Sequence, residues 1–397
     1  MKSRDLVLVF AMREEYEGFK DAINEKYTNF SINNESKIAS IGENGTLYSL
    51  SVSYGSIHSC CIKCLCVNHQ GCGYMNKALY EMHDIIKDKF QDGYYLVNIG
   101  ICGLVDKENN LGDVLIPDAA YDITSNGKQN DDDWEMSPDP YRIDPKIKKE
   151  LSQHYLPLVN KELEKTYRIV QNVIPQKIII ELSELGYISK NKYNKLITNS
   201  QIVTGGDVGQ GDKLVKKLKT RITRHLTAYD CETAVVYSFA RDKNLTGIAF
   251  RSMSDPCDHN KKYVEDITDG IYRRIALYNA TIAFCTWFEM YFFSPVIVLK
   301  TKNLDILQFP YNQNTVFYPN LPQYSNIFTF IDQGKKSVKI SDIREKTESI
   351  LLNCTHCSWK DRTFTISGGA RSGKTAISSI IYHLFNGTEI IIPVLLE

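Results

Sequence analysis

The sequence predicts an α/β fold, a sheet covered by helices on both faces, followed by a short C-terminal P-loop segment. Short apolar runs alternate with helical charge patterns through the first half of the chain, the mark of an α/β arrangement. Glycines cluster just beyond two of those runs, at Gly100-Ile101-Cys102-Gly103 and Gly205-Gly206. A Gly-rich loop ending in Lys374-Thr375 stands between a β-prone run and a helical pattern. The chain has 397 residues, 43 % apolar and 24 % charged, enough for two domains of ordinary globular composition.

In chain order, Leu6-Val7-Leu8-Val9-Phe10 reads as a buried strand that runs into a charged helix opening, Arg13-Glu14-Glu15-Tyr16-Glu17. Ser40 to Asn68 reads as strand and hairpin, closed by the turn Gln70-Gly71-Cys72-Gly73; a helix follows over about Asn76 to Phe90. Tyr94 to Ile99 is a second buried strand, stopping at Gly100. Glycines past a strand's carboxyl end let backbone approach a ligand, and ligands sit there in open α/β sheets. Residues 124–200 are polar and read as a loop plus peripheral helices with no site of their own. The core resumes at Ile202-Val203-Thr204 with two strand–helix units, and one long amphipathic helix over about Glu265 to Phe293 closes the domain. Beyond Ser294-Pro295, β-prone segments separated by Pro310, Pro319 and Pro322 suggest a connector. The expected parts are therefore a domain over 1–293, a connector over 294–345 and a third part over 346–397.

Lys+Arg and Asp+Glu both total 47, so no net positive field points to nucleic acid or an anionic membrane. The apolar runs Leu6–Ala11 and Phe284–Phe293, the latter carrying Glu289, are too short for a membrane span. Eleven cysteines, an odd number without a secretory signal, fit a reducing cytoplasm. Cys60, Cys61, Cys64 and Cys66, between His58 and His69, lack the spacing of paired CxxC knuckles and read as a half-buried strand; no metal is expected in this domain. Cys354 and Cys357 form a CxxC with no second pair nearby and read as helix thiols.

Four segments carry candidate chemistry: Ala11-Met12-Arg13-Glu14-Glu15; Asn98 to Gly103 with Leu111-Gly112-Asp113-Val114; Thr204-Gly205-Gly206-Asp207; and Tyr229-Asp230-Cys231-Glu232 with Arg251-Ser252-Met253-Ser254-Asp255. In this order and spacing they resemble the methylthioadenosine/S-adenosylhomocysteine nucleosidases and their phosphorylase relatives, over about residues 5–292. The helix bearing Arg273, Arg274 and Asn279-Ala280 is similar to that family's last helix. The resemblance implies a three-layer phosphorylase/hydrolase-like fold with a central mixed sheet, and assembly as a homodimer or higher homo-oligomer.

It also implies roles. Breaking an N-glycosidic bond passes through a ribosyl cation-like state and calls for an acid on the leaving group and a base on the nucleophile. By resemblance, Asp255 protonates the purine N7, Glu15 orients and deprotonates water, and Glu232 grips the ribose diol with its two acceptor oxygens. Burial is expected to keep the Asp255 carboxyl protonated near neutral pH. Gly100, Cys102, Gly103, Asp207, Asp230, Cys231 and Ser254 are the expected substrate-binding residues. Cys231 replaces the family's usual Met, and Asp230 its Glu, a shorter reach. Taken alone, Glu15 reads as a solvated helix glutamate and Asp255 before Pro256 as a turn or helix cap. Glu232 lies in an apolar stretch and needs a partner, for which Arg251 is the candidate, as a structural ion pair. A carboxylate in the first loop would repel phosphate, and the turn after residue 70 offers no arginine, so hydrolysis is favoured over phosphorolysis. Adenine suits the aspartate, and relatives fused to signalling NTPases look like bacterial anti-phage effectors acting on adenine nucleotides, so ATP joins the nucleosides as a candidate substrate. A purine nucleoside phosphorylase and a catalytically silent nucleotide sensor are the alternatives.

Finally, Gly368-Gly369-Ala370-Arg371-Ser372-Gly373-Lys374-Thr375 matches G-x-x-x-x-G-K-T in a strand–loop–helix setting. Backbone N–H groups of this loop, shaped by Gly368 and Gly373, and the helix N-terminus would cradle phosphates, Lys374 would reach the β/γ-phosphates and Thr375 would hold Mg2+. The segment resembles the start of a STAND-type (NACHT-like) ATPase. One further strand follows, leaving no Walker B aspartate, so ATP and Mg2+ are expected only for a complete module and no ATPase activity is expected of this chain alone. The nucleosidase-like domain is expected to need no cofactor.

Overall fold

The computed structural model describes residues 5–289 except 26–29, 55–57, 91–92, 125–127, 131–132, 136–138, 152–154, 172–173, 190–192 and 206–210; it also describes 330–331 and 337–338. Asp207, the whole of 346–397 with Gly368, Gly373, Lys374 and Thr375, and nearly all of the connector lie outside the described residues. The chain divides into Met1–Met290 and Tyr291–Glu397.

The elements run β1 (Asp5–Phe10), α1 (Arg13–Asn24), β2 (Phe30–Ile41), β3 (Gly45–Tyr54), β4 (His58–Cys66), α2 (Cys72–Ile86), β5 (Tyr94–Leu104) and β6 (Val114–Asp122). Then come the short strands β7 (Lys128–Asn130), β8 (Asp133–Glu135) and β9 (Tyr141–Arg142), and helices α3 (Pro145–Glu150), α4 (Leu156–Gln171) and α5 (Gln176–Glu184). The domain closes with β10 (Leu196–Thr204), α6 (Asp212–Arg221), β11 (Leu226–Asp230), α7 (Thr233–Asp242), β12 (Thr246–Pro256), α8 (Lys261–Thr268) and α9 (Ile271–Phe288).

The central sheet is mixed, in the order β11-β10-β6-β12-β5-β1-β4-β3-β2. β1, β4, β5 and β12 pair in parallel, as do β6, β10 and β11, whereas β2–β3–β4 is an antiparallel meander. The far end of β5 also pairs with β11, curling the sheet over its own strand ends. Alternation along β5 sorts the two faces. Tyr94 and Leu96 join a core with Met82 of α2 and Phe239 of α7. Tyr95 instead meets the Trp287 ring of α9, edge-on at 5.8 Å. With helices on both sides, β5 is buried at every position except the half-buried Ile101, as its apolar run requires.

Three expectations need correction. The closing helix is two helices, broken where Asp269 and Gly270 adopt positive φ of 48° and 68°. The second of them, α9, is not amphipathic: Ile275 to Cys285 are all buried, because it lies against the sheet, α1 and α4. Residues 124–200 are more than a loop and helices: they include β7, β8 and β9 and the start of β10, and Tyr187 within them supports the site. The meander begins earlier than Ser40, at Phe30, since the outermost strand has little apolar alternation to announce it.

Among the described residues no cluster of His, Cys, Asp or Glu is arranged to hold a metal, and no helix is long and apolar enough to cross a membrane. Cys64 and Cys66 point into the core from β4, while Cys61 is exposed.

Candidate active site

Glu15 sits in the first turn of α1, just past the end of β1. One carboxylate oxygen, Oε2, accepts the backbone N–H groups of Ala11 and Met12 at 2.9 and 3.3 Å. The other, Oε1, accepts the N–H of Ile101 at 3.1 Å, across from β5. The side chain thus caps its own helix and ties two parallel strand ends together. It is only 5 % exposed, which removes the reading of a solvated helix glutamate. Gly100 makes this possible: a Cβ there would run into Glu15 Oε1 and the Arg251 guanidinium.

Arg251, on β12, is the charge at the centre. Its Nη2 donates to Glu232 Oε2 at 2.7 Å and its Nη1 to Asn98 Oδ1 at 3.2 Å. Nε lies 3.2 Å from Asp230 Oδ2, close enough for an ion pair although the N–H is not aimed at that oxygen. Glu15 Oε1 is 4.0 Å from Nη1. Asn98, fully buried in β5, holds the arginine from the opposite side while donating to the Val9 carbonyl at 3.1 Å. One guanidinium therefore faces three carboxylates. Burial pushes Glu232 up to about 7; Arg251 pulls it down, and Asp230 and Glu15 push it up again. Arg251 is the structural ion-pair partner that Glu232 needed.

Asp230 spends its oxygens on the protein. Oδ1 accepts from Thr204 Oγ1 at 2.6 Å; Oδ2 accepts the Thr233 N–H at 3.0 Å and the Thr233 hydroxyl. The aspartate locks β10, β11 and the start of α7 together, and Glu232 stands at the junction. The shorter side chain at this position thus serves a local cap.

Asp255 is placed by a bulge. Its strand loses register against β5 between Met253 and Asp255, which swings the carboxyl toward the cavity. The bulge is held from the other side by the Gly112-Asp113 turn: Gly112 N–H donates to the Met253 carbonyl at 2.7 Å, and Met253 N–H to the Asp113 carbonyl at 3.0 Å. Asn279 of α9 donates to the Gly112 carbonyl at 2.8 Å. Asp113, fully buried, accepts the N–H groups of Asn110 and Lys195 at 2.9 Å each, and burial raises it to about 6. Ser254 Oγ donates to Asp255 Oδ2 at 2.6 Å. Lys261 Nζ of α8 lies 2.7 Å from Asp255 Oδ1. The expectation that burial keeps this carboxyl protonated left out the lysine that stands against it.

These residues share one cavity of about 180 Å3, lined by Glu15, Cys102, Gly103, Asp230, Cys231, Glu232, Ser254 and Asp255. Gly100 lies beneath it, in contact with Glu15. Burial pushes the Cys102 and Cys231 thiols well above their ordinary range, so both are neutral linings. A larger recess of about 780 Å3 around Lys107, Lys195 and Arg224 holds none of the candidates; convergent buried ionisable groups mark the smaller one as the site. Sequence reasoning missed Asn98 as a partner of Arg251, although a lone amide inside the apolar run Tyr94–Ile99 is a usable signal. It also missed Lys261, which looks like any helix-surface lysine.

The Phosphorylase superfamily model matches residues 5–276. Among solved structures, the chain is similar to a 5'-methylthioadenosine/S-adenosylhomocysteine nucleosidase from Neisseria meningitidis in complex with methylthio-immucillin-A, at 14 % identity and a TM-score of 0.48, covering 72 % of this chain and 98 % of that one. An S-adenosylhomocysteine nucleosidase from Streptococcus pyogenes in complex with 5-methylthiotubericidin follows at 16 %, 0.47, and 73 % and 98 % coverage. Futalosine hydrolase of Helicobacter pylori gives 12 %, 0.46, and 71 % and 97 %. None of the curated proteins matches the chain. With its mixed sheet, curled strand ends and matched span of residues, the chain belongs to the phosphorylase superfamily.

Proposed function

We propose that the chain is an N-ribosyl hydrolase that cleaves the glycosidic bond of a purine nucleoside. The observation that carries this reading is the convergence of Glu15, Glu232 and Asp255, far apart in sequence, on one cavity with a negative balance. Five carboxylates (Glu15, Asp230, Glu232, Asp255, Glu265) and three cations (Arg251, Lys261, Arg273) line it, a formal balance of −2. A negative surround stabilises the positive charge that develops on ribose as the base leaves, and it opposes a phosphate dianion as nucleophile. Water is therefore the nucleophile of this reading. Glu15, fixed by three backbone donors, orients that water and takes its proton. Glu232 receives the ribose hydroxyls on the oxygen that Arg251 leaves free, and Asp255 delivers a proton to the leaving base.

The same balance favours an uncharged nucleoside over ATP. The finer expectations belong to this proposal too: adenine as the base, ATP among the substrates, a homo-oligomer, and gating by a P-loop module within 346–397 in an anti-phage role. They rest on sequence resemblance.

The test is release of free base from methylthioadenosine, adenosine, AMP and ATP, followed by chromatography. The expected result is release from at least one nucleoside, reduced about 10²- to 10⁴-fold in Asp255→Asn and in Glu15→Gln. Ligand-induced thermal stabilisation without any base release would replace the enzyme by a binding module, and formation of ribose 1-phosphate in phosphate buffer would replace hydrolysis by phosphorolysis.

A further inference from the structure

Asp255 Oδ1 is a buried oxygen at the cavity wall with no hydrogen-bond partner among the described residues. Lys261 Nζ approaches to 2.7 Å, an ion pair outside hydrogen-bond directionality. Both side chains are largely withdrawn from solvent, at 8 % and 15 % exposure, so water screens the pair weakly. The other oxygen, Oδ2, accepts the Ser254 hydroxyl. A donor on one oxygen and an ammonium on the other suit a carboxylate, whereas an acid that protonates a leaving base must start with the proton in place.

We propose that Lys261 holds Asp255 as a carboxylate in the unliganded chain, so that Asp255 takes up a proton from water and becomes an acid only when a bound base opens the pair. This makes Lys261 a positioning residue, and it deepens the nucleosidase reading on which it rests. Among the described residues no other cation competes for the role. Arg251 is taken by Glu232, Asn98 and Asp230, and Arg273 lies 3.5 Å from Glu14. Around Asp255, burial raises the Cys102 thiol of β5, the Cys257 thiol just past the end of β12 and the Tyr229 hydroxyl of β11, leaving all three neutral. Glu265, one turn along α8, adds negative charge beside Lys261. For Lys261 itself, burial works against the charged form, yet the Asp255 carboxylate outweighs it and keeps the ammonium protonated. The start of α8 is fixed independently: Tyr187 donates to Asp258 Oδ2 at 2.6 Å and accepts from Asn260 at 2.9 Å. Lys261 therefore approaches Asp255 from an anchored backbone.

Two measurements on the full chain test this, with Lys261→Met and Lys261→Arg. In the base-release assay, the pH above which kcat/KM falls should move up by about one unit or more in Lys261→Met and stay near the wild-type value in Lys261→Arg. A uniform loss of rate at every pH, with that limb unmoved, would make Lys261 merely structural and overturn the proposal. The second measurement needs no turnover: the carboxyl carbon resonance of Asp255, identified by its loss in Asp255→Asn, is titrated in the unliganded proteins. It should titrate at least one unit lower in wild type than in Lys261→Met; identical titrations overturn the proposal. Should wild type release no base while the two titrations differ, the Lys261–Asp255 pairing stands and the nucleosidase reading falls.

Discussion

Arg251 concentrates the energetics of the site in one side chain. It is fully buried, and Glu232, Asp230 and Glu15 share its charge. Removing one member of a buried ion cluster leaves the others uncompensated, a loss of about 3–5 kcal/mol. Arg251→Met keeps the volume and deletes the charge, so it should lower unfolding stability by that amount in a urea titration. A loss under about 1 kcal/mol would mean that the carboxylates do not depend on it. At this scale the sequence was uneven. Glu232 was legible, because a carboxylate in an apolar stretch demands a partner, and Arg251 inside a strand was the natural one. Glu15 was legible only through the order of the motifs, since its burial depends on β5 passing over it with a glycine at position 100. Lys261 was not legible: nothing in a helix-surface lysine says which carboxylate it faces.

The elements position these side chains by their irregularities more than by their regular stretches. The bulge in β12 turns Asp255, and the turn at Gly112 with Asn279 holds that bulge. The break between α8 and α9 lets α8 lean over the cavity with Lys261 while α9 runs through the core. Gly270 adopts φ 68°, and a Cβ there would meet nothing within 4 Å. Gly270→Ala therefore isolates the backbone cost of a left-handed residue, about 1–2 kcal/mol. A thermal midpoint equal to wild type would show that the break survives without glycine. Asp269-Gly270 is a turn dipeptide in plain view. The apolar run that follows it hid the break, because a helix buried all round carries no stripe to mark where it begins.

For the whole molecule, the buried carboxyls set a pH dependence of stability. Burial raises Glu232 from its ordinary 4.5 to about 7 and Asp113 from 3.8 to about 6. The folded state then holds these protons more tightly than the unfolded chain. Their contribution is fully present below the unfolded values and is lost as pH rises through about 6 to 7. The thermal midpoint should therefore be higher at pH 6 than at pH 8, and Glu232→Gln should flatten the part of that slope near 7. A midpoint that climbs from pH 6 to pH 8 would show that Glu232 stays ionised throughout. Base release should show the opposite trend on its acid side, falling below about pH 7 as Glu232 loses the charge that grips the ribose.

The sequence by itself determined the α/β class, the buried strands at residues 6–10 and 94–99, the glycines at their ends and the motif order that points to Glu15, Glu232 and Asp255. Each of these is written in local periodicity or local residue choice, which a chain displays before it folds. Only the tertiary structure decided that Arg251 balances three carboxylates through Asn98, that Asp230 caps a helix, and that Lys261 stands against Asp255. Those pairings join residues distant in sequence. They depend on strand register, on one bulge and on the angle of one helix, and a shift of a single residue in any of these would send the same side chains elsewhere.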